Sequence, residues 1–117
     1  MIDGRKVFIS GKITGVRNYK ATFDRVAAEL ADDDYIVLNP ATLPKGLSYA
    51  DYARICTAML EAADTVLFLP GYENSPGATM EMQYAKYIGK AVAFYPDDVK
   101  TPNGCKRPNW DHLDANW

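Results

Sequence analysis

Four short apolar runs recur along the chain, and the stretches between them carry apolar residues at helical rather than alternating spacing. The runs are Lys6-Val7-Phe8-Ile9-Ser10, closed by Gly11; Tyr35-Ile36-Val37-Leu38, stopped by Asn39-Pro40; Thr65-Val66-Leu67-Phe68-Leu69; and Ala91-Val92-Ala93-Phe94. Each reads as a strand, the first and third of them buried. From Tyr19 to Asp32, a helical projection gathers Tyr19, Phe23, Val26, Ala27 and Leu30 on one face. Thr42 to Leu47 is a loop punctuated by Pro44 and Gly46. Ser48 with Asp51 three residues later predicts a capped second helix, with Tyr52, Ile55, Cys56, Met59 and Ala63 facing inward. Ser75-Pro76 opens a third helix that runs to Ile88, where Gly89 supplies a left-handed cap. Strands alternating with helices predict a mostly parallel sheet joined by right-handed crossovers and covered on both faces.

A length of 117 residues, 48% of them apolar, predicts a single domain over residues 1–117, with its core over 6–94. The stretch from Asp97 to Trp117 has turn residues, no periodicity and both tryptophans, Trp110 and Trp117, so it reads as an irregular tail. A net charge of −2 gives no footprint for nucleic acid, and no apolar run reaches the roughly 20 residues of a membrane span. The N-terminus lacks the apolar stretch of a signal peptide. Cys56 and Cys105 do not form a disulfide framework, and His112, the single histidine, argues against a histidine-based metal site. The expectation is a cytoplasmic protein with no metal or cofactor.

In open α/β sheets ligands bind outside the carboxyl ends of the strands, and three segments converge there. Ser10-Gly11-Lys12-Ile13-Thr14-Gly15 offers backbone N–H groups, a hydroxyl and a positive charge, which suit a phosphate or the oxygens of a sugar. It lacks P-loop spacing, and a tight turn that needs glycine is the plain alternative. The second segment runs from Pro70 to Glu81. On its helix, steps of about 100° place Glu81 on an otherwise apolar arc with Ala78, Met82, Ala85 and Ile88. A carboxylate there must find a partner, change protonation state or face a cleft. Gly77, one turn earlier, leaves the space before Glu81 open, as a nucleophile requires; a purely structural glutamate is the alternative. In the third segment, Asn39 is a candidate ligand for a sugar hydroxyl or base, although asparagine before proline is also a common turn former.

Val7 through Gly15, Asn39-Pro40-Ala41, Leu69-Pro70-Gly71 and Ala78-Thr79-Met80-Glu81 together resemble an uncharacterised phage and prophage family. That family is grouped with the nucleoside 2-deoxyribosyltransferases and the deoxynucleoside monophosphate N-glycosidases. The resemblance covers residues 6 to 94 and implies a Rossmann-like (flavodoxin-like) three-layer fold with four or five strands. It implies a nucleoside or nucleotide ligand, Glu81 as the nucleophile at the anomeric carbon of a 2-deoxyribose, and Ser75 as the polar residue six positions earlier, in the form found in the hydrolases. Gly11, Lys12, Ile13, Thr14 and Gly15 would border the sugar or its 5′-phosphate.

The sequence departs from that pattern at Cys56, where those enzymes carry an aspartate that assists protonation of the leaving base. Cys56 also reads as a small core residue, and Asp64 either as a catalytic neighbour or as a helix terminator. Two other functions fit the residues: a nucleotide-binding protein with little or no catalysis, and a phosphoribohydrolase of the lysine-decarboxylase-like type, whose motif is echoed by Pro70-Gly71 and Gly77 through Glu81. A homo-oligomer is expected from the many large aromatics, Tyr49, Tyr52, Tyr72, Tyr84, Tyr87, Trp110 and Trp117. In the related enzymes chain-terminal residues of an adjacent subunit reach the ligand, a role that falls to Asn116 and Trp117.

Overall fold

Strand residues alternate between the two faces of a sheet, and here the alternation sorts the core into two clusters. A computed structural model of the chain describes residues 2–99. In β1 (Lys6–Ser10) Val7 and Ile9 join one cluster and Phe8 the other. In β3 (Thr65–Phe68) Leu67 faces with the first pair, while Val66 and Phe68 face with Phe8. The first cluster is covered by α1 (Tyr19–Asp32), which buries Phe23, Val26 and Leu30. The second is covered by α2 (Tyr49–Ala62) and α3 (Pro76–Tyr87), through Cys56, Leu60 and Ala85. Fully burying an apolar side chain of this size stabilises the fold by about 1.5–3 kcal/mol.

The remaining strands are β2 (Ile36–Leu38) and β4 (Ala91–Phe94), and the sheet runs β2-β1-β3-β4 with every pairing parallel. The fold is therefore α/β, a Rossmann-like arrangement of three layers with four strands. The chain leaves β1 for β2, then passes back over β1 to reach β3. That reversal puts α1 and α2 on opposite faces and opens a crevice beyond the carboxyl ends of β1 and β3.

Local signals in the sequence account for the helix boundaries. The Ser48 hydroxyl accepts from the Asp51 amide at 3.1 Å and the Asp51 carboxylate from the Ser48 amide at 3.2 Å, a closed capping box. Ser75 caps α3 and Gly89, at φ 81°, turns the chain out of it. Two inward-facing assignments need correction. Ile55 is 37% exposed, because it lies about 100° from Cys56, and Leu60, one turn beyond Cys56, takes the buried place. Ile88, also 37% exposed, falls just past the last turn of α3. Core packing also reaches Ile2 and Val99 beyond the 6–94 stretch. Cys105, Trp110, His112, Asn116 and Trp117 lie outside the described residues.

At the opposite, amino-terminal edge of the sheet, the Asp64 carboxylate accepts from the Arg5 and Lys6 amides, both at 3.0 Å. Those two bonds, Lys6 first, hold its pKa below the ordinary value. Asp64 is thus a structural tie at the far end from the crevice. Gly4 makes the tie possible: its φ is 70°, and a Cβ there would sit 2.5 Å from the Asp64 carboxylate. Gly4→Ala is expected to cost about 2 kcal/mol through backbone strain and displacement of that carboxylate, read as a lower urea midpoint. An unchanged midpoint would contradict this assignment.

Candidate functional site

The crevice is a cavity of about 600 Å³, within the range of small-molecule sites. Three elements build its walls. Phe8 and Ser10 of β1 and the following Gly11, Lys12, Ile13 and Thr14 form one side. Gly11 has no side chain because the turn packs tightly: a Cβ there would lie 3.1 Å from Leu69 and 3.3 Å from Phe23. From α2 come Tyr49, Tyr52, Ala53, Cys56 and Thr57. The loop before α3 supplies Asn74 and Ser75, and the start of α3 supplies Gly77, Ala78, Met80 and Glu81.

Glu81 lies on the second turn of α3 and meets β1. Strand alternation turns Ser10 to the same face as Phe8, towards α3, and its hydroxyl donates to Glu81 Oε1 at 2.5 Å. Ser10 is 1% exposed. Burial pushes the Glu81 carboxyl above the ordinary carboxylate value, while the bond from Ser10 opposes that rise. Across the cavity, Cys56 has its pKa pushed up to about 11, chiefly by burial and secondly by the charge of Glu81. Cys56 is therefore both a core residue and a cavity residue, and its thiol is protonated at neutral pH.

The first turn of α3 points donors at the same space. Ser75 Oγ accepts from the Ala78 amide at 3.1 Å, leaving its own proton for a partner. Proline at position 76 has no N–H and the Ala78 amide is capped, which leaves the Gly77 amide as a first-turn donor with no hydrogen bond among the described residues. A Cβ on Gly77 would meet only Ser75 Oγ, at 3.9 Å, so the approach to that amide is open. Lys12 is exposed and makes no hydrogen bond or ion pair among the described residues. It and Glu81 are the charged members of the wall among the described residues.

The structure thus brings together Gly11, Lys12, Ile13, Thr14, Ser75, Gly77 and Glu81. It does not bring Gly15 or Asn39 to the wall. Gly15, at φ 79°, serves the turn in which the Val16 amide donates to the Ile13 carbonyl at 3.1 Å. Asn39 is 8% exposed; its Oδ1 accepts from the Ala41 amide at 3.0 Å and its Nδ2 donates to Asp24 at 2.9 Å. Both ends of its side chain are thus engaged, Oδ1 in the turn after β2, as its position before proline also allowed, and Nδ2 with Asp24 of α1. Sequence reasoning passed over Ser10 as a partner of Glu81, although its place two residues after Phe8 fixed its face. The tyrosine wall was also missed: Tyr52 donates to the Pro44 carbonyl at 2.8 Å, and Tyr49 stands 77% exposed at the mouth.

The profile of the family described as "Domain of unknown function (DUF4406)" matches residues 5–94. The chain belongs to that family. No curated protein matches the chain. The DUF4406 region runs from just before β1 to the end of β4 and so contains every residue of the cavity wall. Among the described residues no helix is long and apolar enough to cross a membrane.

Proposed function

We propose that the protein cleaves the N-glycosidic bond of a 2-deoxynucleoside or its 5′-monophosphate, with Glu81 as the nucleophile. The observation that carries the reading is the Glu81 carboxylate, mostly buried at the wall of a 600 Å³ cavity and set one turn behind a glycine that leaves its approach open. The carboxylate forms a bond to C1′ as the C1′–N bond breaks and its electron pair leaves with the base, which takes a proton from a solvent water and leaves hydroxide. A second water then attacks C1′, gives its proton to that hydroxide, expels Glu81 as the carboxylate and releases the sugar; a second base in place of this water gives transfer. Lys12 and the first-turn donors of α3 are assigned to the 5′ end of the ligand. Incubation with a panel of deoxynucleosides and monophosphates, followed by chromatography for free base, tests the reading.

Lys12→Ala is expected to weaken monophosphate binding by about tenfold or more while leaving deoxynucleoside binding unchanged. Calorimetry on both ligands checks this, and equal affinities in the wild type would remove the phosphate assignment.

One observation favours a second reading, a nucleotide-binding protein with little turnover. The residue across from Glu81 is a thiol with its pKa pushed up to about 11, a weak acid for protonating a leaving base. In that case a bound nucleotide stays intact over hours.

A further inference from the structure

Burial alone works against a carboxylate nucleophile, because it favours the protonated form, which cannot attack. Glu81 is mostly buried, and the hydrogen bond from Ser10 opposes that effect. Ser10 is itself 1% exposed, so its hydroxyl is shielded from water. Glu81 Oε1 accepts the Ser10 proton at 2.5 Å, whereas Oε2 has no hydrogen-bond partner among the described residues and is not sealed from the cavity. A carboxylate with one oxygen tied to the sheet and the other free has its two oxygens made unequal.

We propose that Ser10 is the positioning residue of the nucleophile: by holding Oε1 against β1 it presents Oε2 as the attacking atom and favours the ionised carboxylate. The assignment of Oε2 as the attacking atom rests on the glycosidase reading above; the effect of Ser10 on the ionisation of Glu81 does not. The backbone makes the arrangement rigid. Ser10 ends a central strand paired on both sides in the sheet, in register with Phe68 of β3, and the Leu69 amide donates to the Ser10 carbonyl at 2.9 Å. Glu81 sits mid-helix on α3. The distance between the two is therefore set by packing of α3 on the sheet rather than by a loop. Among the described residues, the titratable groups that share the cavity wall with Glu81 are Tyr49, Tyr52 and Cys56 from α2, the Cys56 thiol staying protonated through the neutral range, and Lys12 from the turn after β1.

The experiment follows the Glu81 carboxyl by carbon NMR titration in the wild type, Ser10→Ala and Ser10→Thr, alongside the pH dependence of base release. In Ser10→Ala the carboxyl is expected to titrate at higher pH than in the wild type. The acid limb of kcat is expected to move with it, and kcat to fall about tenfold with KM little changed. Ser10→Thr restores the hydroxyl and should return both readouts toward the wild type. Where Ser10→Ala does not fold, Ser10→Cys, a weaker donor of similar size, takes its place and should shift the titration in the same direction. A Glu81 titration unmoved by loss of the hydroxyl would overturn the proposal. A titration that moves in a protein that releases no base from any substrate would uphold the effect of Ser10 on Glu81 and overturn the glycosidase reading alone.

Discussion

Glu81→Gln is expected to lower base release by about 10⁴-fold or more and, at neutral pH, to raise the melting temperature. The amide keeps the volume of the side chain and an oxygen for the Ser10 hydroxyl but cannot attack C1′. The stability gain follows from the raised pKa of Glu81 in the folded state. Between the ordinary carboxylate value and that raised value, the unfolded chain binds fewer protons than the folded one, so wild-type stability falls as pH rises through the window. The glutamine variant has no such dependence. Its advantage is therefore absent below the ordinary value and fully open above the raised one. Scanning calorimetry across that range checks the sign. Wild-type turnover in the variant would remove Glu81 from the chemistry.

Gly77→Leu is likewise expected to separate stability from binding. Gly77 is the second residue of α3, and a side chain there meets open cavity rather than protein. Glycine is a poor helix residue, so leucine should hold or raise stability by up to about 0.5–1 kcal/mol. The added side chain occupies the ground in front of Glu81 and hinders access to the Gly77 amide. Ligand affinity should fall about 100-fold or more, because the ligand must overlap the new side chain or leave the donor unpaired. Calorimetric titration measures this, and unaltered affinity would place the ligand elsewhere.

Much of this architecture was legible in the residues, because periodicity and capping are local. Phe23, Val26 and Leu30 announce the buried face of α1, and Ser48 with Asp51 fixes the start of α2. Ser75-Pro76 likewise opens α3 at the expected place. Glu81 was legible as a polar break in an apolar arc. What could not be read locally is which elements meet. Ser10 closes on Glu81 only because β1 and β3 are neighbours and α3 packs on their shared face. The role of Asn39 was decided by Asp24, a residue of α1 that no spacing within the turn after β2 reveals. Ile55 looked inward because a projection treats a broad apolar arc as uniform, whereas the sheet covers only the sector centred on Cys56 and Leu60.

A covalent bond between Glu81 and the sugar is detectable by peptide mass spectrometry. The protein would be mixed with a deoxynucleoside 5′-monophosphate, quenched in acid within the first turnover and digested. The expected product is a 2-deoxyribosyl phosphate group on the peptide that contains Glu81, formed together with free base and absent in Glu81→Gln. Free base released in that first turnover with the Glu81 peptide unmodified, or with the sugar on another residue, would contradict the covalent role of Glu81.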